Sequence, residues 1–135
     1  MNFEFNRENM TDTSLKSCKI ILGNNESLQK LKRMAFQISE DNYNEDEIYL
    51  IGIDKRGYLL AQHLNSVLNE LGYIKVHLNK LIIDKKNPEK DMAELDIDLD
   101  KLNGKSIIII DDVANTGKIL TYALKPFLNI RPKQL

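Results

Sequence analysis

The sequence predicts an α/β fold, a mostly parallel twisted sheet with flanking helices, and three observations carry that expectation. Short apolar runs, "IYLIGI" (48–53) and "IIII" (107–110), are nearly continuous, as strands covered on both faces must be. Stretches with helical spacing alternate with these runs. Both runs end abruptly in charge and small residues, "DKRG" and "DDVANTGK". The chain has 135 residues, which suits a single domain over 1–135. Hydrophobic residues make up 42% and charged residues 29%, enough apolar material for one core. The formal net charge of −1 advertises neither a nucleic-acid nor a membrane partner. Cys18 is the single cysteine, so an intrachain disulfide is excluded, in keeping with a reducing cytoplasm. "MNFEFNRENM" has no apolar signal core, and no run reaches the roughly 18 apolar residues of a membrane span.

Taken in order, residues 1–17 read as a polar N-terminal arm, and "CKIILG" (18–23) as a short strand. Asn25 is a candidate N-cap for a helix over about 26–40, with Leu28, Leu31, Met34, Ala35 and Ile38 on one face. "DNYNED" (41–46) is a loop before the strand at 48–53. "DKRG" forms a tight turn into a helix striped by Leu60, Leu64, Val67, Leu68 and Leu71, with Gly72 placed to end it. "YIKVHLNKLIID" (73–84) alternates at Ile74, Val76 and Leu78, then changes phase to Leu81 and Ile83, which predicts a bulge or turn near Asn79–Lys80. Charge density and Pro88 mark 84–105 as a mobile loop, with "LDIDLD" a candidate extended piece. The isoleucine strand follows, then a helix from about 118 that Pro126 limits or kinks.

Ligands of open α/β sheets bind beyond the carboxyl ends of the strands. Asp111 and Asp112 sit at such an end. Buried dry, they would be costly, so water, a hydroxyl-rich ligand, a metal or a basic partner is expected beside them. Val113–Lys118 then turns into a helix, where small residues, Thr116 and Lys118 suit a phosphate. Carboxylates beside an anion cradle fit a sugar phosphate. A polar strand end with Thr116 as N-cap is the plain alternative. A Walker B strand is another, although no G-x-x-x-x-G-K-[ST] cradle accompanies it. "GIDKRG" repeats the arrangement with Lys55 and Arg56. A surface turn with solvated charges is its plain reading, but one ligand with phosphate at both ends explains both loops.

At these residues the chain resembles the type I phosphoribosyltransferases. "IIIIDDVANTGKI" is similar to their ribose-phosphate signature and "GIDKRG" to their pyrophosphate loop. The wider likeness, through "ILGNNESLQKLKRMAFQISEDN" and "KLNGKSIIIIDDVANTGKIL", is to the bifunctional uracil phosphoribosyltransferase/pyrimidine-operon attenuator type. The resemblance implies Mg²⁺-dependent transfer of the phosphoribosyl group from phosphoribosyl pyrophosphate to a nucleobase, a pyrimidine such as uracil, with release of pyrophosphate. Asp111 and Asp112 would hold the ribose hydroxyls and, through water or those hydroxyls, the metal. Asn115, Thr116, Gly117 and Lys118 would wrap the 5-phosphate. Asp54, Lys55, Arg56 and Gly57 would meet the pyrophosphate, and Lys55 and Arg56 would be catalytic with the two aspartates. A non-proline cis peptide is implied near Asp54–Lys55, a closing loop at 84–105, and a homodimer.

Three departures qualify this. Ile119 stands where the family usually has Ser or Thr, which removes one hydroxyl from the phosphate loop. Asn115 occupies the place of an aspartate that acts as general base in purine-salvage members. "NIRPKQL" stands where the family begins another core strand, so the expected sheet lacks the last core strand and no base pocket is identified. A non-catalytic regulator that senses phosphoribosyl pyrophosphate or a nucleotide, with RNA as partner, is the second reading; the near-neutral charge speaks against RNA. His63 and His77 read as structural, Tyr58 as packing, and "DKKNPEK" as a solvated loop.

Overall fold

The structure is a computed structural model that describes residues 23–84, 93–114 and 116–135. Helix α1 spans Asn24–Asp41. It starts two residues earlier than the sequence suggests, because Glu26 rather than Asn25 supplies the cap: its carboxylate accepts from the Gly23 N–H at 2.8 Å. Strand β1 (Glu47–Ile53) leads straight into helix α2 (Asp54–Leu71), and Gly72, at φ 70°, closes that helix as expected. Strand β2 (Lys75–Ile82), the short strand β3 (Glu94–Leu95), a 3-10 turn at Leu99–Leu102 and strand β4 (Ser106–Ile110) follow. Helix α3 (Lys118–Leu124) passes at Pro126 into a 3-10 turn over Lys125–Asn129.

The sheet runs β3-β2-β1-β4. β1 pairs in parallel with both β2 and β4, while β3 is antiparallel to β2. Central β1 is buried from Ile48 to Ile53, as its unbroken apolar run requires. One face of the sheet packs Ile48, Leu50, Ile74 and Ile110 against Ala35, Ala61, Leu64 and Leu68 of α1 and α2. The other packs Tyr49, Ile51, Ile53, Leu81 and Ile107 against Leu102, Ala123 and Phe127.

Three expectations change. β2 carries no bulge, since its pairing to β1 is continuous from Glu47–Lys75 to Ile53–Leu81. The phase change instead marks the point where burial switches faces: Ile74, Val76 and Leu78 belong to the α1/α2 side, Leu81 and Ile83 to the other. The stripe on α1 is only partly covered, with Ala35 buried but Met34 46% exposed. Finally, the segment expected as a mobile loop at 84–105 divides. Residues 85–92 lie outside the described residues, as do the arm and all of the strand expected at 18–23 except Gly23, which is the N-cap of α1. Residues 93–105, by contrast, are built onto the sheet, because Asp96 accepts from the backbone N–H of Lys80 at 2.9 Å and Leu102 is fully buried.

At the amino ends of the strands, Glu47 accepts from Lys105 Nζ at 2.7 Å and lies 2.8 Å from His77 Nε2. The Lys105 hydrogen bond and then the His77 one hold its carboxyl down at about 2. His77 also stacks on Tyr49, ring centroids 4.6 Å apart, which confirms a packing role. The end of the chain touches β4: Ile107 N–H donates to Gln134 O at 3.0 Å, and Gln134 forms a parallel bridge with Ser106. Among the described residues this isolated bridge is the pairing on the outer side of β4, which stands at the edge of the sheet.

Candidate functional site

Because β1, β2 and β4 are parallel, their carboxyl ends open on the same side of the sheet. There a cavity of about 710 Å³ is lined by Asp54, Lys55, Arg56, Lys80, Ile82, Asp111, Asp112, Val113 and Ile119. Five of the expected site residues thus come together from two loops. "DKRG" is the first turn of α2 rather than a separate turn. Asp54 makes this possible by adopting φ 53°, a left-handed conformation that Asp tolerates better than most side chains. Its carboxylate accepts from Ile83 N–H at 3.1 Å, tying the end of β1 to the end of β2. The cis peptide expected here is absent: every peptide bond among the described residues is trans. The local strain lies in the Asp54 φ instead.

Two glycines set how close the loops approach. A Cβ on Gly52 would sit 2.3 Å from Tyr58 Cα, so only glycine lets α2 lie this tightly on β1. A Cβ on Gly57 would sit 2.6 Å from Ile110 O and 3.3 Å from Asp111 Cα. Gly57 therefore lies under the site as the contact between the two loops, in addition to any role toward a ligand.

Across the cavity Arg56 Nη1 lies 3.7 Å from Asp112 Oδ2, linking the loops. The arginine side chain is 82% exposed and the aspartate 24%, so this is a loose surface pair worth less than about 1 kcal/mol. Asp111 turns its carboxylate back onto Asp112 N–H at 3.0 Å. Thr116 Oγ1 accepts from Lys118 N–H at 3.3 Å, the local bond that the plain reading anticipates, although Gly117 holds the N-cap position. Thr116, Gly117 and Lys118 follow the cavity wall without lining it. Asn115 lies outside the described residues.

Lys80 and Ile82 line the cavity without having been singled out by sequence reasoning. Their signal was the phase change in β2, which leaves these two positions at the strand's carboxyl end on the α2 side. No group of three or more His, Cys, Asp or Glu side chains among the described residues is placed to hold a metal by itself. Mg²⁺ commonly needs only one or two carboxylates when a phosphate ligand supplies the rest. Asp111 and Asp112 are hard oxygen donors on one cavity wall and fit that requirement.

A mostly parallel α/β sheet whose strand ends bring cations and paired acids together has a site whose chemistry suits a phosphorylated, hydroxyl-bearing ligand. The family profile of the phosphoribosyl transferase domain matches residues 17–135, and the chain belongs to that family. The "Bifunctional protein PyrR" of Limosilactobacillus fermentum is 33% identical over 120 residues, covering 81% of this chain and 66% of that protein. The "Pyrimidine operon regulatory protein" of Lactococcus lactis subsp. lactis is 31% identical over 110 residues, 78% of this chain and 62% of that one. The chain thus spans just under two thirds of the length of these relatives. Among solved structures, a hypoxanthine-guanine phosphoribosyltransferase of Bacillus anthracis superposes with a TM-score of 0.68 at 26% identity, covering 87% of this chain and 67% of that one. The hypoxanthine phosphoribosyltransferase of Trypanosoma cruzi gives 0.70 at 18% identity over the same shares, a likeness of fold. No helix among the described residues is long and apolar enough to cross a membrane.

Proposed function

We propose that this chain binds phosphoribosyl pyrophosphate with Mg²⁺ and transfers the phosphoribosyl group to a nucleobase, a pyrimidine such as uracil, in the cytoplasm. One observation carries the reading: Lys55 and Arg56 from one strand end and Asp111 and Asp112 from another meet on a single cavity. In the reaction the bond from ribose C1 to the pyrophosphate oxygen breaks, and its electron pair leaves with pyrophosphate. A bond from C1 to a ring nitrogen forms, and the proton of that nitrogen passes to water. Asp111 and Asp112, through water or the ribose hydroxyls, would hold Mg²⁺, which would supply neutralisation of the pyrophosphate charge. Asp111 and Asp112 accept from the ribose hydroxyls and fix the sugar. Lys55 and Arg56 stabilise the charge that grows on the leaving group. Thr116, Gly117 and Lys118, with Asn115, take the 5-phosphate. Arg56 exchanges its loose contact with Asp112 for the ligand.

Calorimetric titration of phosphoribosyl pyrophosphate, with and without Mg²⁺, tests the site. Metal-dependent binding that is lost in Asp112→Asn supports it; a folded protein that shows no binding refutes it. Nucleotide formation from uracil then tests transfer. A second reading, a regulator that binds the same ligand or a nucleotide together with RNA, is favoured by Ile119 in the cavity wall and by the name of the Lactococcus relative. RNA affinity that falls steeply with salt, without turnover, would select it. A homodimer is the proposed assembly. β4 is an edge strand bridged on its outer side only at Ser106 among the described residues, which leaves pairing groups open. Light scattering decides the assembly.

A further inference from the structure

Lys80 enters the cavity by a route that can be traced strand by strand. In the parallel pairing it lies directly beside Gly52. The missing Cβ of Gly52 lets the first turn of α2 press against β1 and places Tyr58 next to β2. Lys80 Nζ then stands 5.8 Å from the centroid of the Tyr58 ring. That is the outer limit of cation–π attraction, so the ring guides the ammonium without engaging it strongly. Among the described residues the ammonium has no carboxylate partner within ion-pair distance. Arg56, in contrast, is already paired with Asp112.

The main chain at Lys80 is fixed on both sides. Its N–H donates to Asp96 Oδ1 at 2.9 Å, and its carbonyl accepts from Asp96 N–H at 3.1 Å. Asn79 Nδ2 adds a further bond to the same carboxylate at 3.1 Å. A cation on a clamped backbone, steered by an aromatic ring into a cavity, is pre-positioned for an anion. The cavity wall holds three acids, Asp54, Asp111 and Asp112, and three cations, Lys55, Arg56 and Lys80. Of the cations, Lys55 and Arg56 stand together at the end of β1, and Lys80 approaches from the neighbouring strand.

Resting on the phosphoribosyl reading above, we infer that Lys80 is a positioning residue for the diphosphate end of the ligand, and that it sets preference for a diphosphate over a monophosphate. Two phosphate groups present more charge than the Lys55–Arg56 corner alone meets, and a third cation from β2 grips them from the side. Lys80 therefore adds to affinity for pyrophosphate-bearing ligands and little to affinity for the ribose 5-phosphate portion.

The test is titration of inorganic pyrophosphate with Mg²⁺ and, separately, of ribose 5-phosphate into wild type, Lys80→Met and Lys80→Arg. Lys80→Met keeps an unbranched aliphatic stem and removes the charge, and thermal unfolding checks that each variant is folded. Pyrophosphate affinity should fall about tenfold or more in Lys80→Met and recover in Lys80→Arg, while ribose 5-phosphate affinity stays within about twofold. Equal loss for both ligands, or no loss for either, overturns the role of the lysine. Wild type that binds neither ligand overturns the phosphoribosyl reading and this inference with it. Should Lys80→Met fail to fold, Tyr58→Leu in the folded protein must show the same ligand-selective loss in weaker form, and its absence refutes the inference.

Discussion

Replacing Gly57 by alanine should damage both stability and binding, and the size of the effect can be worked from the contact it disturbs. The new Cβ would stand 2.6 Å from Ile110 O, where ordinary contact begins at 3.4 Å. The required shift is 3.4 − 2.6, or 0.8 Å, and the obstacle is backbone at the end of β4 rather than a side chain that can rotate. Overpacking of this kind costs about 1–3 kcal/mol. Alanine recovers up to about 1 kcal/mol through better helix propensity, less in a first turn. A net loss of about 1–2 kcal/mol is expected, read as a lower urea midpoint with an unchanged slope. The displacement also separates Arg56 from Asp112, already 3.7 Å apart, and pulls one half of the site from the other. Misplacement on the order of 1 Å can cost about 100-fold, so affinity for phosphoribosyl pyrophosphate should drop between about 10- and 100-fold. Gly23→Ala is the control, since its Cβ meets nothing nearer than Glu26 Oε2 at 3.7 Å. A Gly57→Ala protein that unfolds and binds like wild type would refute the claim that backbone contact between the loops builds the site.

Three further outcomes follow from the same structure. The Asp54 carboxylate accepts from Ile83 N–H, so Asp54→Ala should cost about 1–2 kcal/mol in urea unfolding, whereas Asp54→Asn, which keeps an acceptor and tolerates φ 53°, should cost less; equal losses would contradict this. Ser106 is fully buried and its hydroxyl has no hydrogen-bond partner among the described residues, so Ser106→Ala should be neutral or stabilising by up to about 1 kcal/mol, and a clear loss in thermal unfolding would contradict this. Glu47, whose pKa is depressed from 4.5 to about 2, contributes stability that is complete above 4.5 and is lost as pH falls toward 2; Glu47→Gln should flatten the fall in melting temperature across that window, and parallel acid profiles would exclude the mechanism.

Much of the fold is legible in local sequence because its signals are local. The buried run at 48–53, the stripe of α2, its glycine stop and the proline break after α3 all rest on neighbouring residues. The misreadings arise where the decisive partner is distant in the chain. Nothing within "VHLNKLII" says that α2 ends its cover above Leu78 and that the cavity begins there, so an intact strand looked bulged. Asp96 holding Lys80, sixteen residues away, turns a charged stretch into sheet. The loop aspartates and cations were visible because their charge contradicts the apolar strands before them. Lys80 was invisible for the opposite reason: a lysine within an alternating strand looks like an ordinary exposed position. Gly57 was noticed as part of a motif, but its closeness to Ile110 depends on how two non-sequential strands are laid side by side.

The contact between Arg56 and Asp112 has a consequence for discrimination. With Arg56 Nη1 3.7 Å from Asp112 Oδ2, a ligand of these two side chains would enter by exchanging partners. A simple anion can draw the arginine away only by leaving the aspartate without its partner. A ligand with a phosphate for one and hydroxyls for the other replaces both contacts at once. Selection between them gains a small increment from the exchange, bounded by the less than about 1 kcal/mol that so exposed a pair holds.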